Sequence, residues 1–344
     1  MGINLSTPHY VDSEIDAIEY AHAQGWTDGL PVIPPTRERI DAVLTMWGYV
    51  AEEEVGRVTE RQRIITAENV ATNMIMAGCT RDMFPVVLAS TEAILDDRYN
   101  IIGPSASTGG AAPLIMIHGP MIDTLGFNTG TAVLGAGNRA NLTVGRALNL
   151  LIRNAIGSVP GDLDQATIAH AGRIAYCLPE GATGDWPNIS DELGIPEGTN
   201  AVTVFAAEAP HSVADHTSNE PNGLIASFSR ILSATNYTGA AIVLLLCPEH
   251  RAIFQGSGWS KNDVRHALFQ NTKIQGHEIY RTGRHDHVGP DELLSIVPAQ
   301  DDILIICAGG LAGGHSAIIP PWLGSGRGDG SKPVTKGVGV CLDC

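Results

Sequence analysis

Three short apolar runs in the second half of the chain constrain its fold more than any other feature. Val202-Thr203-Val204-Phe205, Ala241 to Leu246 and Ile303-Leu304-Ile305-Ile306 each read as a strand. Between and around them lie helical stretches at 222–235, 249–256, 260–271 and near 290–296. Continuous apolar strands that alternate with helices predict a parallel sheet covered on both faces. The expected class is α/β, a helix-rich N-terminal region plus a C-terminal parallel, Rossmann-like sheet covered by helices. The expected division is 1–178 for the N-terminal domain and 201–323 for the parallel domain. Residues 179–200, rich in Pro, Gly, Asp and Glu, form a boundary excursion, and 324–344 is a glycine-rich tail.

The N-terminal region begins with an amphipathic helix over 12–24. Prolines at 31, 34 and 35 then impose an extended course, and Thr36 caps a helix through Met46. Further helices are expected at 66–78, 82–96 and from Asn138 to Ile156, where Gly157 stops the helix. Leu114-Ile115-Met116-Ile117 reads as a buried strand. With only 5% aromatics, the core must rest on Ala, Val, Ile and Leu.

The formal charge is 21 − 37 = −16, and no block of Lys or Arg occurs. That argues against nucleic-acid binding and against attraction to anionic membranes. No basic and apolar leader opens the sequence, and no apolar run approaches the roughly 20 residues that span a bilayer. The expected location is the cytoplasm.

Six cysteines in 344 residues do not make a disulfide scaffold. Cys79, Cys177, Cys247 and Cys307 read as small buried hydrophobes. Cys341 and Cys344 differ, because their C-x-x-C spacing suits a disulfide or a shared metal ion. Asp343 and the chain carboxylate disfavour a thiolate there, so that pair needs a basic or metal-bearing receiving site.

Loops that leave the carboxyl ends of strands bind ligands in open α/β sheets, and three such loops are polar. The first carries Glu208, His211, Asp215 and His216, groups suited to acid–base work or, as His211, Asp215 and His216, to a zinc or iron ion. The second is Cys247-Pro248-Glu249-His250. In the third, Gly309, Gly310, Gly313 and Gly314 expose amides as a nest for an anion, with His315 and Ser316 at its end. Before the long helix, Asn138, Arg139 and Asn141 suit a small polar substrate or a neighbouring subunit. The third glycine of a dinucleotide fingerprint is missing there. His285-Asp286-His287 reads as an exposed turn.

The segment Trp26-Thr27-Asp28-Gly29-Leu30-Pro31-Val32-Ile33-Pro34-Pro35-Thr36 resembles the signature of a poorly characterised bacterial family. Met76-Ala77-Gly78-Cys79, Gly137 to Ala147 and Ala207 to His211 fit the same family. Its members are often found beside small UGSC-type proteins with a cysteine or selenocysteine redox motif. The resemblance implies an association with thiol or selenol chemistry and a UGSC-type redox protein as partner.

The leading expectation is a homo-oligomeric, thiol-dependent oxidoreductase for a small polar or anionic substrate. Cys341 and Cys344 would supply electrons or a covalent sulfur, Glu208, His211 and His315 acid–base groups, and Asp28 a rigid wall. A metal-dependent lyase or hydrolase on His211, Asp215 and His216 is the alternative. A third reading is a non-catalytic subunit that delivers sulfur or metal to a partner enzyme.

Overall fold

The computed structural model describes residues 9–235, 240–279, 288–322, 331–339 and 342. The chain opens with helices α1 (Glu14–Ala23) and α2 (Arg37–Trp47), followed by a hairpin of β1 (Glu54–Val58) and β2 (Arg63–Thr66). Helices α3 (Ala67–Ala77) and α4 (Phe84–Leu95) and the short α5 (Ile102–Ala106) lead into β3 (Ala112–His118). A short α6 (Met121–Thr124), α7 (Arg139–Leu151), β4 (Cys177–Pro179), a short α8 (Ile189–Glu192) and β5 (Ala201–Ala207) complete this half. Caps define the helices as the sequence suggested: the Thr36 side chain accepts from the Arg39 amide, and Thr66 and Asn69 form a capping box.

The second half runs β6 (His211–Ala214), α9 (Pro221–Ala234), β7 (Ile242–Leu246), α10 (Pro248–Gly256) and α11 (Lys261–Asn271). It continues with β8 (Lys273–Gln275), α12 (Gly276–Ile279), β9 (Leu293–Ser295), β10 (Ile303–Cys307), β11 (His315–Ile319) and β12 (Val334–Gly337). Where a helix was expected near 290–296, Leu293–Ser295 instead pairs antiparallel with β8, so pairing across the chain overrides the local preference.

Two four-stranded sheets form the centre. The first has the order β12-β5-β3-β4 and the second β10-β7-β11-β6. Side chains alternate between faces along each strand. Ile115 and Ile117 of β3, with Val202 and Val204 of β5, join the core under α3, α4 and α7. Ile242, Leu244 and Ile305 of the second sheet pack with Leu224 and Phe228 of α9 and Leu268 of α11. Leu114, Met116 and Phe205 meet Val243, Leu245, Ile306 and Ile319 in a third core between the sheets. The layers are therefore helices, sheet, sheet, helices.

The α/β class stands, but both sheets are mixed. Only β3 with β4 and β10 with β7 pair parallel, and the other pairs within the two sheets run antiparallel. The reason is physical: an unbroken apolar strand reports burial on both faces, not the direction of its neighbour. Here a second sheet, rather than a second layer of helices, covers the inner face. The strand at 201–207 consequently pairs with β3 in the first sheet, and β12, from beyond residue 323, adds to its edge.

The 179–200 excursion ties the layers together. Lys261, 2% exposed, lies 3.5 Å from both Glu180 and Glu192. Glu180 also accepts from the Ile189 and Cys307 amides. Burial pushes the Glu180 carboxyl up, partly offset by Lys261. Among the described residues no helix is long and apolar enough to cross a membrane.

Candidate active site

Strand β7 ends at Leu246, and Pro248 opens α10 two residues later, its ring fixing a helical φ. Cys247 stands between them as the N-cap, in extended backbone. His250 follows three residues on and so lies on the same side of the first turn. Neither residue is open to solvent: Cys247 is 4% exposed and His250 0%.

Two antiparallel neighbours bring the partners. Register pairs Ser316 of β11 with Val213 of β6, and Ala317 with Leu245 of β7. The starts of β11 and the carboxyl ends of β6, β7 and β10 therefore share one edge. His250 Nδ1 lies 2.8 Å from Ser316 Oγ, and the Cys247 amide donates to the same hydroxyl at 3.1 Å. His250 Nε2 lies 2.9 Å from the Asp215 carbonyl oxygen, which only accepts, so Nε2 carries a proton. The imidazole edge also packs on Phe228, with ring centroids 5.6 Å apart.

Asp215 is itself fixed. Its carboxylate accepts from the Ser218 and Thr217 amides and from the Ser218 and Ser227 hydroxyls, the last at 2.6 Å. Burial acts to raise this carboxyl, but those bonds outweigh it and hold it far below the usual range. The carboxylate thus anchors the turn whose carbonyl orients His250.

The electrostatics shift both groups toward their charged forms. Burial pushes the Cys247 thiol up, yet the His250 ring, Ser316 and the His250 amide together bring it below its ordinary value of 9.0. Burial pulls His250 down, but Cys247 and the Asp215 carbonyl hold it above 6.5. A cysteine at a helix start beside an imidazole is the environment that generates a thiolate. In the sequence this residue reads as a small buried hydrophobe at the head of a polar strand-end loop. The signal available was the spacing Cys247-Pro248-Glu249-His250 at a strand-to-helix junction.

The glycine-rich loop borders this group. Gly314 runs so close to the Asp215 carbonyl and His250 that a side chain has no room. The Gly309 amide donates to the Thr129 carbonyl, Gly313 to Glu249, and Gly314 to His216 Nδ1. The amides of Gly310, Leu311 and Ala312 have no partner among the described residues. His216 and His315 meet edge to face at the same rim, with ring centroids 4.7 Å apart.

Other expected site residues lie elsewhere. His211 pairs with Ile318, three register steps from His315, which places it about 10 Å along the strands. Glu208 lies beyond that end, bonded through its amide to the Pro320 carbonyl, and burial raises its carboxyl despite Arg173. Glu208, His211 and His315 therefore do not gather. His216 and Asp215 adjoin the Cys247 group, whereas His211 does not, and among the described residues no three His, Cys, Asp or Glu side chains are placed to hold a metal ion.

Asp28 is held by Arg146 of α7 through two bonds of 2.7 and 2.8 Å, with Arg146 also capping the Leu30 and Pro31 carbonyls. Burial raises this carboxyl, and Arg146 more than reverses it. Asn138 caps α7 by accepting from the Asn141 amide, and Arg139 donates to the Gly78 carbonyl. Asn141 braces the loop before α7 through Asn128 and Val133. That loop carries Thr129, the acceptor for Gly309, so Asn141 bears on the glycine-rich loop at one remove. Cys341, Cys344 and His285-Asp286-His287 lie outside the described residues.

Comparison with protein-family models, with curated proteins and with solved structures gives no match.

Proposed function

We propose that this protein is a thiol-dependent enzyme in which Cys247 is the nucleophile. His250 is its base, Ser316 the hydroxyl between them, and the Asp215 carbonyl the group that orients the imidazole. The observation that carries the reading is the Cys247–His250 pair, shifted toward thiolate and imidazolium at the mouth of α10. A nucleophile, a base and a third group that aims the base are the parts of covalent catalysis. The thiol class expected from sequence, and from the resemblance to a family found beside UGSC-type redox proteins, is kept. Its reacting sulfur moves from the terminal pair to Cys247.

The reaction that fits one thiolate is acyl transfer. The sulfur attacks a carbonyl carbon, a thioester forms, and the leaving group departs with the proton that His250 held. Water, deprotonated by His250, then hydrolyses the thioester and restores the thiol. A site this closed favours a small acyl group. The unpartnered amides of Gly310 to Ala312, with His216 and His315 at the rim, favour one that bears a negative charge.

A burst experiment tests this. Mixed with p-nitrophenyl acetate, the full chain should release about one equivalent of nitrophenolate and carry acetyl on Cys247, as read by peptide mass spectrometry. The burst should vanish in Cys247→Ser. A burst of equal size in that variant would overturn the assignment.

A further inference from the structure

A cavity of about 650 Å³ opens between α4, strand β1 and the edge strand β12. That volume is the size of a small-ligand pocket. Its aliphatic lining comes from Val55 of β1 and from Leu88 and Leu95 of α4. Its polar side is built from Tyr49, Glu92, Asp96 and Lys336.

These polar groups differ in what they lack. Asp96 accepts two bonds of 2.8 Å from Arg98 and lies 3.2 Å from Lys336. The Glu92 carboxylate accepts no hydrogen bond and forms no ion pair among the described residues. Burial pushes it up, only partly offset by Lys336. Burial also raises the Tyr49 phenol, and nearby Glu92 and Glu53 raise it further, so the acidic groups cluster on this wall. A half-buried carboxyl at the edge of an apolar space leaves acceptor capacity unused.

We propose that the cavity is a second ligand site for a small aliphatic amine, with its ammonium on Glu92 and its chain against Val55, Leu88 and Leu95. An ammonium supplies the donors that Glu92 lacks and makes a charge-assisted bond in a partly dry setting. The aliphatic walls take up the hydrocarbon. A carboxylate ligand would instead meet Glu92 as a like charge, and Lys336, the cation on this wall, is already held by Asp96. The site is separate from the Cys247 group and stands or falls independently of it.

Titration calorimetry on the full chain with n-hexylammonium and hexanoate tests the proposal. Hexylammonium should bind, hexanoate should not, and Glu92→Gln should weaken the amine by about tenfold or more. Val55→Phe, which fills the space, should abolish binding while the circular-dichroism melt stays cooperative. The Cys247 alkylation rate should be unchanged in both variants. Hexanoate binding as tightly as the amine would overturn the proposal, and so would amine binding unaffected by Glu92→Gln or Val55→Phe.

Discussion

The ends of β7 and β10 are alike in almost every respect that sequence records, yet they hold different thiols. The strands pair parallel, with Cys307 opposite Leu246 and Cys247 one residue further on. Both cysteines close an apolar run, and both are nearly buried, at 4% and 2% exposure. Burial, the largest cause, pushes Cys307 up to about 12, while the charges of Lys261 and Glu180 beside it act in opposite directions. At Cys247 the same burial is overturned by His250 and Ser316. Burial therefore does not decide the character of a thiol. Partners do, and here they come from the first turn of α10 and from strand β11, which does not pair with β10.

The strongest way to break this comparison is alkylation by iodoacetamide at pH 7, followed by peptide mass spectrometry. Cys247 should label at least about 100-fold faster than Cys307, given how far apart their thiols titrate. Cys307→Ala should leave the fast phase intact, and Cys247→Ser should remove it. Equal labelling of the two thiols would dissolve the contrast.

A smaller effect tests the cause. His250→Ala deletes the largest partner that lowers the thiol, so the apparent pKa of Cys247 should rise. The sign follows from its depressed native value: the thiolate fraction at a given pH then falls, and the rate profile moves to higher pH. At pH 7 the alkylation rate should fall about tenfold or more. A profile that stays in place, in a variant that still melts cooperatively, would show that the imidazole does not set the thiol.

Much of the fold was legible in the residues, and the failures have a common origin. Helices α2, α3, α7 and α9 to α11 follow from caps and apolar spacing, and β3, β5, β7 and β10 from unbroken apolar runs. Of the strands without such a run, β6, β11 and β12 mix buried positions with more open ones over four or five residues. Such strands gain their stability from neighbours rather than from their own pattern. They also set the pairing direction and bring Ser316 to Cys247 across 69 residues. The loop Cys247 to His250 was visible as polar and strand-terminal. What made its thiol special was not, because Ser316 and the Asp215 carbonyl enter only through tertiary pairing. Asp28 and Asn141 show the reverse case. Their residue types fit a binding site, and the fold spends their hydrogen bonds on Arg146 and on the loop before α7.

The smallest expected effect discriminates between the two candidate groupings at the edges of the β6–β11 pair. If His211 served the chemistry, as its company with Asp215 and His216 in sequence suggests, His211→Ala should cripple it. Register instead sets His211 opposite Ile318, at the far end of a short strand from His315. Its imidazole is exposed there and bonded to none of Cys247, His250, Ser316 or Asp215. Screening over about 10 Å, close to the Debye length at 0.1 M salt, leaves little electrostatic reach to the thiol. The alkylation rate of Cys247 and the acetyl burst should both stay within about twofold of the parent chain, the scale of an ordinary surface substitution. A tenfold loss in either would return His211 to the active group and require β6 to shift along β11 when substrate binds.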